Sequence, residues 1–347
     1  MKNKAAYMTQ LDKIEIRDIP VPSPKPEEVL VKLEYVGICG SDVHYFHDGR
    51  CGDYVVDGEF LLGHECAGVV ADIGTNVKRL KIGDKVALEP GITCGMCDFC
   101  KSGKYNLCPD VQFLATPPVP GCFAKYITFP ENMCFVLPDN MTTKEGALVE
   151  PLSVGLHAVN QACASLGDRV VIFGAGCIGL MTMMACQAHG ISDISVVDVI
   201  DTRLEHAEKL GAARTVNGAK TDAVKEILAI SGGTGAEKVF ECSGAPVCIS
   251  QTPYVVGRGG TITLVGMAAQ PEVSFNFAQI MSKEAEIKSV FRYRNIYPQA
   301  IAAISSGRLN VADIVTHEFG FDDIEHALLE NVHNKNEVVK AVIRIEG

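Results

Sequence analysis

Two sets of residues have the types and spacing for metal chemistry. The first is the run Cys94-x2-Cys97-x2-Cys100-x7-Cys108. Four thiolates so spaced can close a tetrahedral Zn²⁺ shell, leaving no position for water or substrate. A bacterial ferredoxin run also begins C-x2-C-x2-C and ends in Cys-Pro, and Pro109 follows Cys108 here. Its last spacing is three residues, however, against seven in this chain. A structural zinc is therefore expected in the lobe 91–109. That lobe is polar and glycine-rich, so the metal would order it. A nucleic-acid zinc ribbon would need more basic residues than Lys101 and Lys104, which stand beside Asp98 and Asp110.

The second set lies between Tyr35 and Glu65. Cys39, His64 and Glu65 are too far apart for a local loop, so only a fold can join them. Joined, they offer a thiolate, an imidazole and a carboxylate, a borderline-soft trio suited to Zn²⁺ with one position open. His44 and His47 lie between them. Taken singly, each has an ordinary reading as a buried thiol or a satisfied core histidine. Glu150 precedes Pro151 inside the apolar stretch ALVEPLSVG. A buried carboxylate there is costly unless it is paired or bound to a metal. The alternative is a helix-end charge facing solvent.

The elements that must position these residues follow from length and patterning. A chain of 347 residues exceeds one ordinary core, so two domains are expected. Its apolar content of 47% and charged content of 21% are those of a soluble globular protein. The net charge of −11 argues against a nucleic-acid surface and against anionic membranes. The N-terminus has lysines but no apolar run or cleavage site, and Val170–Cys186 is interrupted by glycines. A cytoplasmic protein is expected. In that reducing compartment 14 cysteines point to metal rather than disulfides.

Short alternating runs closed by Gly, Asp or Pro fill roughly the first 130 residues and read as an all-β, barrel-like domain. From Met141 the spacing turns helical, with Thr143 as a candidate N-cap. An apolar strand from Asp168 then feeds Gly174-x-Gly176-x-x-Gly179, which opens an apolar helix before a second strand ending at Asp198. This is the context that the dinucleotide fingerprint requires. Gly174 permits the tight turn, Gly176 the approach of the diphosphate, and Gly179 the packing of helix on strand. Asp198 can accept the ribose hydroxyls and would repel a 2′-phosphate, which favours NAD over NADP. Arg203 reads as a ribose or adenine-side contact, or as a helix-surface arginine. The βα alternation continues, so Val265, Gly266 and Met267, past the end of a strand, are candidate nicotinamide-side contacts. A further strand is expected over Ile287–Tyr293, then a helix over Pro298–Ser306 and a closing strand in VVKAVIRI.

With YVGICGSDVHYF, GHE, the four-cysteine lobe, EPLSVGLHA, GAGCIG and VFRYRN all in view, the chain resembles the zinc-dependent medium-chain dehydrogenases, and among them the sorbitol and xylitol (polyol) dehydrogenases. The resemblance implies an α/β fold. A GroES-like β-barrel catalytic domain over 1–150 would carry an inserted doubly wound Rossmann domain over 151–290, with 291–347 returning to the barrel. It implies Cys39, His64 and Glu65 as catalytic zinc ligands, with Glu150 holding the water or entering the shell. It implies Ser41 and His44 as a proton path, and Tyr45, Arg292 and Tyr293 as substrate contacts. Ile178, Asp198, Arg203, Val290, Phe291 and Arg292 fall at cofactor positions. Two zinc ions per subunit, NAD, a small polyol oxidised to a ketose, and a homo-tetramer or dimer without nucleic-acid or membrane partners complete the expectation. A cysteine stands at the Glu150 position in alcohol dehydrogenases of the superfamily, which points to the polyol branch. Animal sorbitol dehydrogenases have lost part of the structural cysteine set, whereas all four are present here. Threonine or sugar-alcohol-phosphate dehydrogenases, and an NAD-binding metal or redox sensor without turnover, are the other readings.

Overall fold

The computed structural model describes residues 2–345. The chain divides into two compact units, one of Met1–Glu150 with Tyr297–Gly347 and one of Pro151–Ile296. The return crossing thus falls at Ile296/Tyr297. Arg292 and Tyr293, expected in the returning segment, belong to the second unit.

The first unit is built on a mixed, mainly antiparallel sheet of seven strands. Its order runs Cys134–Val136, Lys85–Leu88, Glu65–Ile73, Glu28–Gly37, Ala341–Arg344, His317–Gly320, with Tyr126–Pro130 also on Glu28–Gly37. The C-terminal segment is therefore part of this sheet: Ile343 pairs with Val36 and Val342 with Gly37. A smaller sheet joins Lys13–Ile19, Asn3–Gln10 and Phe60–Leu61. Inward residues of both sheets, with Phe46 and Leu328 from helices, form one core that includes Leu62, Phe123 and Phe129.

The helical stretch after Met141 is two helices, Thr143–Ala147 and Val149–Ala162, parted at Leu148. Pro151 explains the break, because its ring clashes with the carbonyl four residues earlier and tolerates only a first helical turn. The N-cap is Thr142, not Thr143. Its hydroxyl accepts from the Glu145 amide at 3.2 Å while Glu145 accepts from the Thr142 amide at 2.7 Å, a capping box that Thr143 cannot form. Thr143 instead donates to Glu34 at 2.6 Å.

The second unit is an all-parallel six-stranded sheet with α-helices between its strands. Taken in chain order as Val170–Phe173, Ile194–Asp198, Arg214–Asn217, Ala236–Glu241, Val256–Leu264 and Glu286–Ser289, the strands lie in the spatial order 3-2-1-4-5-6. This is the doubly wound order, and its switch point lies between the first and fourth strands. Val170–Phe173 is buried throughout, as a strand covered on both faces must be. The last strand ends at Ser289. The expected extension to Tyr293 is not made, and Arg292 inside that range takes a φ of 57°, which an extended run does not allow.

Candidate metal centres and dinucleotide site

The sulfurs of Cys94, Cys97, Cys100 and Cys108 lie within 4.8 Å of one another. Cys108 and Cys94 are 3.5 Å apart and Cys94 and Cys100 3.9 Å. The chain makes this cluster locally. Cys97 caps the short helix Asp98–Lys101, and the amides of Cys97 and Cys100 donate to the sulfurs of Cys94 and Cys97, each at 3.4 Å. Amides of Met96 and Cys97 push the Cys94 thiol down to about 7, toward the thiolate that a metal requires. Met96, Phe99 and Leu107 are exposed, so the lobe has little core of its own.

The second cluster is assembled from distant chain. Cys39 is the N-cap residue of the helix Gly40–Asp48, just past the Glu28–Gly37 strand. His64 and Glu65 open the Glu65–Ile73 strand from a turn at Gly63, whose φ of 90° favours glycine. One donor atom from each of Cys39, His64 and Glu65 falls within 4.8 Å of the others. Asp42 ties the two segments together. Fully buried, it accepts from the Cys39 amide at 3.0 Å and from the Gly63 amide at 2.9 Å. Its Oδ1 also stands 3.6 Å from His64 Nδ1, beyond hydrogen-bond range. Burial opposes a charge on His64, but Asp42 and Cys39 outweigh it and hold the imidazole well above its usual value.

Glu65 has its own buried partner. Lys340 donates to its Oε2, and to the Ile38 carbonyl at 2.9 Å. Gly37, paired across the strands from Glu65, makes room for this carboxylate: a Cβ there would overlap Oε2. Phe113 sets its ring 5.6 Å from that of His64. Sequence reasoning missed Asp42, Lys340 and Phe113. Only Asp42 carried a local signal, as an acidic residue in the first turn of a helix. The donor set fits zinc: a thiolate, a carboxylate and an imidazole converge, and His64 Nδ1 is buried without a hydrogen-bond partner.

Around this trio, Ser41 is half-buried on the same helix as His44, which is exposed and paired with Asp48 at 2.9 Å. Tyr45 is buried edge-on to Phe60, and burial, with Cys51 and Asp42, holds its hydroxyl protonated. Glu150 is buried in the first turn of Val149–Ala162. It neighbours Glu89, whose carboxyl is pushed up to about 7 by burial, with Tyr105 acting against this and Glu150 adding to it. Tyr105, inside the four-cysteine lobe, donates to Glu89 at 2.7 Å.

In the second unit, Gly174 turns at a φ of 98° and Gly176 caps the helix Cys177–Ala188, with Ile178 half-buried in its first turn. A Cβ on Gly179 would fall 1.7 Å from the Gly174 carbonyl oxygen, so helix and turn touch backbone to backbone. Asp198 folds onto this turn: its Oδ2 accepts from the Ala175 amide at 2.6 Å, its Oδ1 from those of Val199 and Ile200 at 2.7 and 3.0 Å. Arg203 brings Nη1 to 3.7 Å from where a Gly176 Cβ would stand, beside the turn rather than out on the helix surface. Val265, Gly266 and Met267 follow the Val256–Leu264 strand, and Met267 is exposed. Val290 donates to the Leu264 carbonyl at 2.9 Å, and the Arg292 guanidinium stands 4.8 Å from the Phe291 ring centre. Tyr293 is buried.

Comparison with known proteins agrees with this geometry. The alcohol dehydrogenase GroES-like domain matches residues 25–139, and the zinc-binding dehydrogenase domain matches 177–306. A sorbitol dehydrogenase of Bacillus subtilis (strain 168) is 42% identical over 98% of this chain and 96% of its own. A crystal structure of an Escherichia coli oxidoreductase/dehydrogenase of unknown specificity, involved in membrane biogenesis, superposes with a TM-score of 0.96. It is 46% identical and covers 100% of both chains. A Sinorhizobium meliloti 1021 structure bound to NADP gives 0.90 at 27% identity, covering 99% of this chain and 100% of its own. The chain therefore belongs to the zinc-dependent medium-chain dehydrogenases, in the company of sorbitol dehydrogenases.

Proposed function

We propose that the protein oxidises a secondary hydroxyl of a polyol, such as sorbitol or xylitol, to a ketose with hydride transfer to NAD. The observation that carries this reading is the convergence of Cys39, His64 and Glu65; Glu150, a buried carboxylate of the same unit, is assigned to act beside them. Bound zinc supplies Lewis acidity toward the substrate hydroxyl, and bound nicotinamide accepts the hydride. The chain's residues do the rest. Glu150 accepts from a substrate hydroxyl or a water. Tyr45, kept protonated, donates to a neighbouring hydroxyl. Ser41 and the exposed His44 lead the released proton toward solvent. Arg292 and Tyr293 are assigned to the remaining hydroxyls, and a site built for several hydroxyls rejects a plain alcohol strongly.

Asp198 supports NAD over NADP, since its carboxylate repels a 2′-phosphate, and Arg203 beside the turn is assigned as a ribose or adenine-side contact. The four-cysteine cluster supports a second, structural zinc. The edge strand Glu286–Ser289, with exposed Ile287 and nearby exposed Phe277 and Met281, supports assembly into dimers or tetramers. No helix among the described residues is long and apolar enough to cross a membrane, and a cytoplasmic site of action is assigned on the sequence.

Initial rates with NAD⁺ and NADP⁺ against sorbitol, xylitol, ribitol, galactitol, threonine and ethanol test this reading. A clear preference for one or more polyols with NAD⁺ is expected. Threonine as the best substrate, or no turnover with any polyol, overturns it. Asp198→Ala should narrow the gap between the cofactors by about tenfold, because it removes like-charge repulsion.

A further inference from the structure

The carboxylate of Glu241 is wholly buried at the end of the central Ala236–Glu241 strand, and no step of the proposed reaction involves it. Among the described residues it has no cationic partner. It folds back on its own turn instead. Oε1 accepts from the Ser243 amide at 2.9 Å, from the Gly244 amide at 3.1 Å and from the Ser243 hydroxyl; Oε2 accepts from the Gly244 amide at 3.1 Å. Burial drives the carboxyl toward its neutral form against these bonds. An ionisable group kept in such a place needs a reason, because an apolar residue of the same shape would avoid the desolvation.

The reason lies in what the turn touches. It stands between the carboxyl ends of the two flanking strands, where open α/β sheets bind their ligands. A Cβ on Gly174 would be 3.0 Å from the Ser243 nitrogen. One on Gly266 would be 2.3 Å from the Gly244 nitrogen, and one on Gly244 would be 2.3 Å from the Met267 oxygen. Main-chain bonds complete the block. Cys242 donates to the Phe173 carbonyl at 2.8 Å, while Val265 and Gly266 donate to the Glu241 carbonyl at 2.8 and 2.9 Å. Three turns thus pack backbone on backbone, and the Glu241 carboxylate sets the shape of the middle one.

We infer that Glu241 is a positioning residue for the dinucleotide, holding the Gly174 turn and the Val265–Met267 segment at the spacing that the diphosphate–nicotinamide half requires. The inference rests on the dinucleotide-binding reading. It differs from a general structural role in one respect: the adenosine half is assigned to Asp198 and Arg203, whereas the side-chain bonds of Glu241 run to Ser243 and Gly244.

Dissociation constants for NADH and for AMP, measured on the full zinc-loaded chain, separate the two. In Glu241→Gln an amide donor replaces an acceptor that faces N–H and O–H groups. NADH should bind about tenfold more weakly, with AMP affinity within about twofold of wild type. Ser243→Ala removes the hydroxyl that donates to Glu241 and accepts from the Ala245 amide at 3.1 Å, and should weaken NADH by about two- to threefold. If the wild-type protein binds neither NADH nor AMP, the dinucleotide reading itself is wrong. If the wild type binds both, and Glu241→Gln weakens both equally or neither, the role assigned to Glu241 is wrong. Should Glu241→Gln not fold, wild-type NADH affinity in Ser243→Ala overturns the inference.

Discussion

The two cysteine-bearing centres of the first unit are built in opposite ways. The four-cysteine lobe draws every donor from one short loop, and its own amides direct the sulfurs. It is half exposed and has little apolar support. The Cys39–His64–Glu65 centre draws its donors from a helix cap and a strand start, and sets each against a buried partner. Asp42 stands behind Cys39 and His64, and Lys340, more than two hundred residues along the chain, stands behind Glu65. The difference is one of dependence. On the proposed reading the lobe depends on its metal for folding, whereas the other centre is braced by buried partners before any ligand binds.

That contrast can be broken most directly at the lobe. Cys97→Ser should remove one metal per chain and lower the thermal midpoint, since structural zinc supplies on the order of 10 kcal/mol of local folding energy in isolated zinc modules. Chelation of the other centre should abolish turnover while the midpoint moves little. Elemental analysis and a melting curve on each preparation check this. Equal loss of midpoint in both would show that the centres do not differ in kind.

Lys340→Met tests the pre-organised side. It leaves Glu65 buried without its cation and should destabilise the metal-free protein by about 3–5 kcal/mol. Denaturant titration of chelated protein measures it. A change under about 1 kcal/mol would mean that Glu65 needs no protein partner.

Glu150→Gln keeps the shape and removes the charge. We expect kcat to fall by about a hundredfold or more with metal content and fold retained, as for loss of a group acting in the transition state. Near wild-type turnover with metal in place would make Glu150 a structural carboxylate.

The smallest effect concerns the buried path from the lobe to Glu150, where Tyr105 donates to Glu89 and Glu89 neighbours Glu150. Glu89 is pushed up to about 7, so between the ordinary carboxylate value and about 7 the folded state keeps a proton that the unfolded chain has released. Its contribution is full below the ordinary carboxylate value and is lost as pH rises through about 7. Glu89→Gln should flatten that slope and change stability at pH 8 by about 1–3 kcal/mol in the stabilising direction. Urea midpoints at several pH values report it, and an unchanged slope would place the titration elsewhere.

Several features are legible in the sequence because their geometry is local. C-x2-C-x2-C fixes three sulfurs on one loop. Gly174, Gly176 and Gly179 report a turn and a close approach by their lack of side chains. Pro151 restricts the helix it enters, although the break at Leu148 and the capping by Thr142 needed a hydrogen-bond pattern to see. The alternation of strand and helix after Asp168 implied the parallel sheet, since parallel strands need crossovers. Tertiary structure decided what depends on partners distant in the chain. The pairing of Lys340 with Glu65, the tilted contact of Phe113 with His64 and the packing of the Glu241 turn against its two neighbours have no local signature. The value of each lies in burial and distance, which only the folded chain defines. Arg292 makes the same point in reverse: the run IKSVFRY read as a strand through Tyr293, but the strand ends at Ser289 and the backbone turns left-handed at Arg292.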